Sequence, residues 1–472
     1  MFVGRDYELG ILNQFKKRNT AGLIVCRGRR RIGKSTLIQE YGKKFKNFYE
    51  FYGLPPRENI SNNNQLQHFG ELMGACFKIP ALRFDNWTDA LVTLSELTSN
   101  KGRVLILLDE ISWIGSGDKD FAGKLKGVWD TKFKKNKKLI LVLCGSVTSW
   151  IDKNILNDKG FMGRVSLTLT LEELPLSHAN QFWKKYKHIS CYEKFKMLSI
   201  TGGVPRYLEE IIASETAEEN IKRMCFSFEG LLYSEFDKIF NDIFNKRSDT
   251  FRKIVKILVN GSVEPKDIAL KLGKKPTGNL SELLSILVES GFVSRDFVWN
   301  LTGNQSRKSK YRLKDNYLRF YLKYIEPEKD KIQKGLFRNV FLENLKSWDT
   351  IMGLQIQNLV LNNLPSVLNE LNIAPESVIS ASPYFQKKTL RSESTQIDLL
   401  IDTRYAVYIC EIKYRKKIDY NVINEMEKKI DRLKNPKKKS VRTVLIYLGE
   451  LTEGVRKSSA FTHYLPLERF LQ

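Results

Sequence analysis

The stretch "GRRRIGKST" (28–36) constrains this chain more than any other. It follows the apolar run "GLIVC" (22–26) and leads into "STLIQEYGKKF", which has helical spacing. Gly28, Gly33, Lys34 and Ser35 match G-x-x-x-x-G-K-[ST] without a gap. Glycine at both ends lets the backbone turn tightly, so that consecutive N–H groups point inward as an anion nest. The helix beginning near Lys34 adds partial positive charge from its N-terminus. The loop of Gly28, Arg29, Arg30, Arg31, Ile32, Gly33, Lys34, Ser35 and Thr36 is therefore expected to cradle a nucleoside triphosphate. In that reading Lys34 reaches the β- and γ-phosphates and the Ser35 hydroxyl ligates Mg²⁺. The motif does not require Arg29, Arg30 or Arg31, and phosphate contact and plain solvation both stay open for them.

Two further apolar runs supply the polar groups such a site needs. "RVLILLDEISW" (103–113) reads as a strand buried on both faces of a parallel sheet, with Asp109 and Glu110 at its C-terminal end. Open α/β sheets bind ligands at that end. Asp109 is expected in the Mg²⁺ shell, and Glu110 is expected to polarise the attacking water. "KLILVLCGSVTSW" (138–150) ends in Gly145 and Ser146, and Ser146 can sense the γ-phosphate or orient the water. Arg164 in "GFMGRVSLTLT" and Arg206 in "TGGVPRYLEE" are candidates to offset charge on the transferred phosphoryl group, in cis or across a subunit boundary. The predicted fold is α/β: a P-loop parallel sheet with a helical lid, then a winged helix, then a small α/β domain like a restriction endonuclease.

The chain resembles the archaeal-type ATPases of the AAA+/STAND group. The resemblance rests on "FVGRDYEL", "GRRRIGKS", "LILLDEISW", "LCGSVTSW", "GFMGR" and "TGGVPRYL", which follow the family's order over about the first half of the sequence. It implies ATP as ligand, Ser146 as a sensor, Arg206 as a second sensor from the helical lid, and Arg164 as a finger-like residue. It also implies that "FVGRDYEL" packs near the adenine.

The 472 residues suffice for about three domains, and 42% hydrophobic content is ordinary for a globular chain. No apolar stretch reaches the roughly 18 residues that span a bilayer, and the N-terminus has no signal-peptide pattern. Cys26, Cys144 and Cys410 fall inside apolar strand runs, and no cysteines pair at metal-ligand spacing, which fits a cytoplasmic protein. The formal net charge of +25 favours a polyanionic partner, nucleic acid and DNA first among them. Positive charge concentrates in "KFKKNKK" (132–138), "RKSKYR" (307–312), "KYRKK" (413–417) and "KNPKKKS" (434–440).

Expected boundaries are 1–170 for the ATPase core, 171–245 for the lid, 246–330 for the winged helix and 335–472 for the last domain. Residues from 165 to about 240 read as mostly helical. "TFRKIVKILVNG", "EPKDIALKLG" and "PTGNLSELLSILVESGFV" then give three helices, the third opening at Thr277 or Gly278. "SRDFVWNLTGNQSRKSKYRLKD" gives a two-stranded wing. The third helix is poor in basic residues after Lys275, so a packing role competes with groove reading. "YRLKDNYLRFYLKYI" reads as aromatic core, and "EPEKDK" after it as a linker.

"TQIDLLIDTRYAVYICEIKYRKK" (395–417) holds a second constellation. Glu411 and Lys413, two apart, face one side of a strand, and a turn at "DTRYA" brings Asp398 alongside. Two carboxylates suit Mg²⁺ or Mn²⁺, which can activate water against a phosphodiester, while Lys413 offsets charge. The spacing resembles the PD-(D/E)xK nuclease core, found in the same domain order in the family above. Members carry G-x-x-F-E on the preceding helix; here "GLQIQNLV" puts Gln357 where that glutamate stands, which weakens the expected metal shell.

Two functions follow as expectations. One is an ATP-driven protein that acts on or binds DNA through the nuclease-like domain. The other is a STAND-type switch in which ATP drives rearrangement or homo-oligomer formation, with that domain binding a partner without cleaving it. A transcription regulator working through the winged helix is a third.

Overall fold

The computed structural model describes all residues except 1, 56–59, 147, 187, 245–246, 274–277, 300–304, 389–392 and 436. Lys275, Thr277 and the turn of the expected wing lie outside the described residues. The chain forms two compact units, Met1–Glu173 and Leu174–Gln472.

The first unit is built on β1 (Gly22–Arg27), β2 (Asn47–Tyr52), β3 (Val104–Asp109), β4 (Leu139–Gly145) and β5 (Val165–Thr170), in the order β2-β3-β4-β1-β5. Every pairing is parallel. The continuous apolar runs are explained by a twofold alternation. Leu23, Val25, Ile106, Leu108, Leu141 and Leu143 enter one core with Phe69, Trp87 and Phe121. Ile24, Cys26, Leu105, Leu107, Ile140 and Val142 enter the other with Leu37, Ile38 and Tyr41. Helices cover both faces, so neither set of side chains can be polar. Val165–Thr170 is a strand where helix was expected. Its alternation Val165, Leu167, Leu169 is short and lies at the sheet edge, where half its side chains meet solvent.

In the second unit, helices lead to an antiparallel ribbon, β6 (Val293–Trp299) and β7 (Gln305–Leu313). The preceding helices are Ser248–Ile257, Pro265–Lys271 and Gly278–Glu289. Tyr317, Phe320, Tyr321 and Tyr324 are buried. The segment expected as a linker is instead tied down: Glu326 pairs with Arg252 at 3.0 Å and Lys256 at 2.9 Å, and Lys329 with Asp237 at 2.5 Å. A mixed sheet follows, of β8 (Val378–Gln386), β9 (Thr395–Thr403), β10 (Ala406–Ile418), β11 (Ser440–Leu451) and β12 (His463–Pro466), in the order β12-β11-β10-β9-β8. β9 and β10 form a hairpin. The helix Asn421–Arg432 carries the chain across to β11, which is parallel to β10. No described helix is long and apolar enough to cross a membrane.

Candidate nucleotide site and a second acidic cluster

Parallel pairing brings the C-terminal ends of β1, β3 and β4 side by side. The loop after β1 turns through Gly28 (φ 149°), Arg31 (φ 70°) and Gly33 (φ 85°), and the helix Lys34–Gly42 starts directly behind it. A Cβ on Gly28 would stand 2.5 Å from the Leu171 carbonyl, so only glycine fits. Lys34 is buried and its Nζ donates to the Arg29 carbonyl at 3.0 Å, folded over the loop it serves. Ser35 Oγ donates to Asp109 Oδ2 at 2.6 Å. Ser146 Oγ lies 2.8 Å from both Glu110 oxygens, and the Ser146 amide donates to Oε2 at 3.2 Å. Glu110 has left-handed backbone (φ 49°), a strained conformation for an acid and typical of positions that aim a side chain at a site. Thr36 is exposed on the first helical turn.

The loop arginines have protein partners. Arg29 pairs with Glu173 at 3.0 Å, and the Arg30 guanidinium lies 5.7 Å from the Trp113 ring centroid. Arg5, in the "FVGRDYEL" segment, donates to the carbonyls of Ile32 (3.1 Å) and Glu172 (2.6 Å). It thus clamps the N-terminal segment onto the phosphate loop. Glu50 on β2 was missed. Burial raises its carboxyl above the usual range, the Gln39 amide works against this, and the neighbouring Asp109 adds to it.

Arg164 is not part of this cluster. It precedes β5, and in a parallel sheet the start of β5 is the end opposite the phosphate loop, about 20 Å away along six strand residues. It forms a bidentate pair with Asp130 (2.8–3.0 Å), which holds that carboxyl down at about 2. A finger acting in cis is therefore excluded, because the side chain points from the wrong end of its strand. Arg206 belongs to the second unit, where it pairs with Glu210 at 2.6 Å and Glu209 at 3.7 Å.

The second cluster lies within the C-terminal sheet. The β9–β10 pairing ends at Cys410↔Leu399, and Glu411 and Asp398 are the next residues along the two strands. Asp398 Oδ2 accepts from the Ile412 amide at 3.0 Å, and its Oδ1 accepts from Gln357 at 3.3 Å. Gln357 comes from the helix Trp348–Asn362. Glu411 is buried and held by Lys413 at 2.8 Å and by Lys429. Lys413 also pairs with Glu425 at 2.6 Å. Glu425 and Lys429, one turn apart on the crossover helix, complete the cluster, and the sequence reading had missed both. Burial and the Glu411 charge push the Asp398 carboxyl up to about 6. Burial opposes ionisation of Glu411 too, but its two lysines prevail and hold it below the usual range.

The donor set does not fit the expected second Mg²⁺ or Mn²⁺. Both Glu411 oxygens face ammonium groups, the third position is the amide of Gln357, and no group of three His, Cys, Asp or Glu side chains gathers among the described residues.

Residues 2–211 match the family model of an ATPase domain predominantly from Archaea. An uncharacterized protein of Methanocaldococcus jannaschii is 26% identical over 428 residues, 89% of each chain. In fold, a Walker-type ATPase of Pyrococcus abyssi superposes with a TM-score of 0.52 at 15% identity, covering 68% of this chain and 96% of its own. Strand order, phosphate loop and family match agree, and the chain carries a nucleotide-binding P-loop ATPase domain.

Proposed function

We propose that the chain hydrolyses ATP with Mg²⁺ and uses the cycle to act on nucleic acid, DNA first, which it binds through its second unit. The observation that carries the ATP half is the 2.6 Å bond between Ser35 and Asp109. A hydroxyl and a carboxylate meeting beside the phosphate loop are the oxygen donors that suit Mg²⁺, which when bound would offset charge on the β- and γ-phosphates. The loop amides from Gly28 to Thr36 cradle the phosphates, and Lys34 leaves the Arg29 carbonyl to meet them. Glu110 takes the proton of the attacking water. Ser146 holds Glu110 until the γ-phosphate competes for the hydroxyl, which makes Ser146 the sensor. Arg206 serves as second sensor, and Arg164 works only across a subunit boundary in a homo-oligomer.

The nucleic-acid half is supported by charge and layout. We read residues 171–245 as a lid, 246–330 as a winged helix and 335–472 as a PD-(D/E)xK-like domain. The solvent face of the helix Gly278–Glu289 offers Asn279, Ser281, Glu282, Ser285 and Glu289, with no basic residue, so packing suits it better than groove reading. Arg415, Lys416, Lys417, Lys434, Lys437 and Lys438 are exposed on the last domain and supply the phosphate contacts. With Glu411 held by lysines, the domain binds without efficient cleavage.

The test is an ATPase assay with and without DNA beside a Mg²⁺/Mn²⁺ cleavage assay. DNA-stimulated turnover and DNA affinity that falls steeply with salt are expected, as counterion release requires. Metal-dependent nicking lost in Asp398→Ala would reinstate the nuclease. ATP-dependent self-assembly indifferent to DNA would replace this reading with the STAND-type switch.

A further inference from the structure

The chain leaves the first unit through Leu171, Glu172 and Glu173, and all three are fastened to the phosphate loop or its approach. The Leu171 amide donates to the Arg27 carbonyl at 2.8 Å. The Leu171 carbonyl is the group that a Cβ on Gly28 would meet at 2.5 Å. The Glu172 carbonyl accepts from Arg5, which also holds the Ile32 carbonyl. Glu173 Oε1 accepts from Arg29 Nη1 at 3.0 Å, and only 14% and 5% of the two side chains are exposed. One residue on, Leu174 belongs to the second unit, where its amide donates to the Gly203 carbonyl at 2.8 Å. A Cβ on Gly203 would stand 2.1 Å from the Leu174 carbonyl, so the two backbones are in close contact there. Glu173 and Leu174 are adjacent, so no slack residue separates the two sets of contacts.

Arg29 is central to this strap for a second reason. Its carbonyl accepts from Lys34 Nζ at 3.0 Å, and Lys34 is the ammonium that a triphosphate draws away. One residue therefore touches the nucleotide-responsive lysine with its backbone and the junction carboxylate with its side chain. The phosphate-loop motif asks for no arginine at this position. Loss of the Lys34 contact frees the Arg29 peptide to move as the loop amides close on phosphate. A shielded ion pair cannot ignore that movement: it carries its partner along or breaks at a cost.

We propose that Arg29 and Glu173 form a nucleotide-responsive latch on the junction into the second unit, closed without nucleotide and loosened by it. Glu173 is a positioning residue, acting through Arg29. The proposal rests on the ATP-site reading above and adds regulation to it. Such coupling is reciprocal: if nucleotide loosens the latch, opening the latch tightens nucleotide. A pair that merely braces the loop has the opposite sign, because its loss disorders the anion nest and weakens binding.

The test uses the full chain and Mg²⁺ with adenylyl imidodiphosphate, an ATP analogue that resists hydrolysis. Calorimetry reads its affinity. Amide hydrogen exchange reads Leu171 and Leu174, whose amides donate on either side of the boundary. In the parent chain the analogue should speed exchange of these two amides by about tenfold. Glu173→Gln should reach the faster exchange without nucleotide, lose the further response, and bind the analogue about fivefold tighter or more. Glu173→Asp, which keeps the charge, should recover part of the nucleotide response. Exchange at Leu171 and Leu174 that ignores bound analogue in the parent chain overturns the proposal, and this arm needs no variant. Weaker binding by Glu173→Gln also overturns it and assigns the pair a bracing role. No calorimetric binding by the parent chain would sink the ATP-site reading itself, and the latch with it.

Discussion

The two acidic clusters draw on nearly the same residue types and differ in what holds their carboxylates. At the phosphate loop, Asp109 and Glu110 are held by hydroxyls, of Ser35 and Ser146, and the one ammonium, Lys34, rests on a carbonyl. In the C-terminal sheet, Glu411 is held by two ammonium groups, and Asp398 retains its proton into the weakly acidic range. A hydroxyl can turn from a carboxylate to a metal or a water at small cost. A buried ion pair cannot, because breaking it strands a charge in low dielectric. Inventory and spacing therefore do not make a hydrolytic site; the partners of the acids decide whether a cation or a water can displace them.

The largest effect expected from this contrast is at Lys34. Lys34→Ala removes the positive charge aimed at the phosphates and should lower ATP turnover by about 10²–10³-fold or more. Normal turnover in a steady-state assay would remove the first half of the comparison. Glu110→Gln keeps the shape but not the base, and should lower kcat by about 10²–10⁴-fold while ATP still binds. Ser146→Ala should cost only about tenfold, since it removes one neutral hydrogen-bond partner.

How much of this was legible depended on whether a residue's role is local. The phosphate loop and the acids after β3 are fixed by contiguous sequence, and the alternation of Leu23, Ile24 and Val25 between two cores follows from a strand buried on both faces. Asp398 and Glu411 were legible as a pair because one hairpin joins them. Lys429 and Glu425 were not, because they reach Glu411 and Lys413 only through the crossover helix, whose docking no short motif records. The cis option for Arg164 falls away only with strand direction in hand: once Val165–Thr170 is a parallel strand, a residue before it is at the far end.

A smaller effect tests whether lysine is what blocks the second cluster. Lys429→Met frees one oxygen of Glu411 beside Asp398. Mn²⁺, read by its own magnetic resonance signal, should then bind this variant about tenfold tighter than the parent chain, since one charged competitor is gone. Equal affinity would mean that Gln357, not the lysines, limits the metal shell.

The smallest effect is in stability and has a definite pH sign. A carboxyl held above its ordinary value in the folded chain favours the protonated form, so ionising it costs folding free energy. For Asp398 the cost is absent below about pH 4, grows as pH rises, and is complete above the folded value of about 6. Glu411, held low by Lys413 and Lys429, has the opposite slope, and the two titrate as a pair. Asp398→Asn removes only the first contribution. It keeps an acceptor for the Ile412 amide and should stabilise the chain by about 2 kcal/mol at pH 7.5, with no gain near pH 4. Denaturant melts of the variant and parent chains at the two pH values measure the difference. A gain of equal size at both would mean that packing, not the paired charges, sets the cost at Asp398.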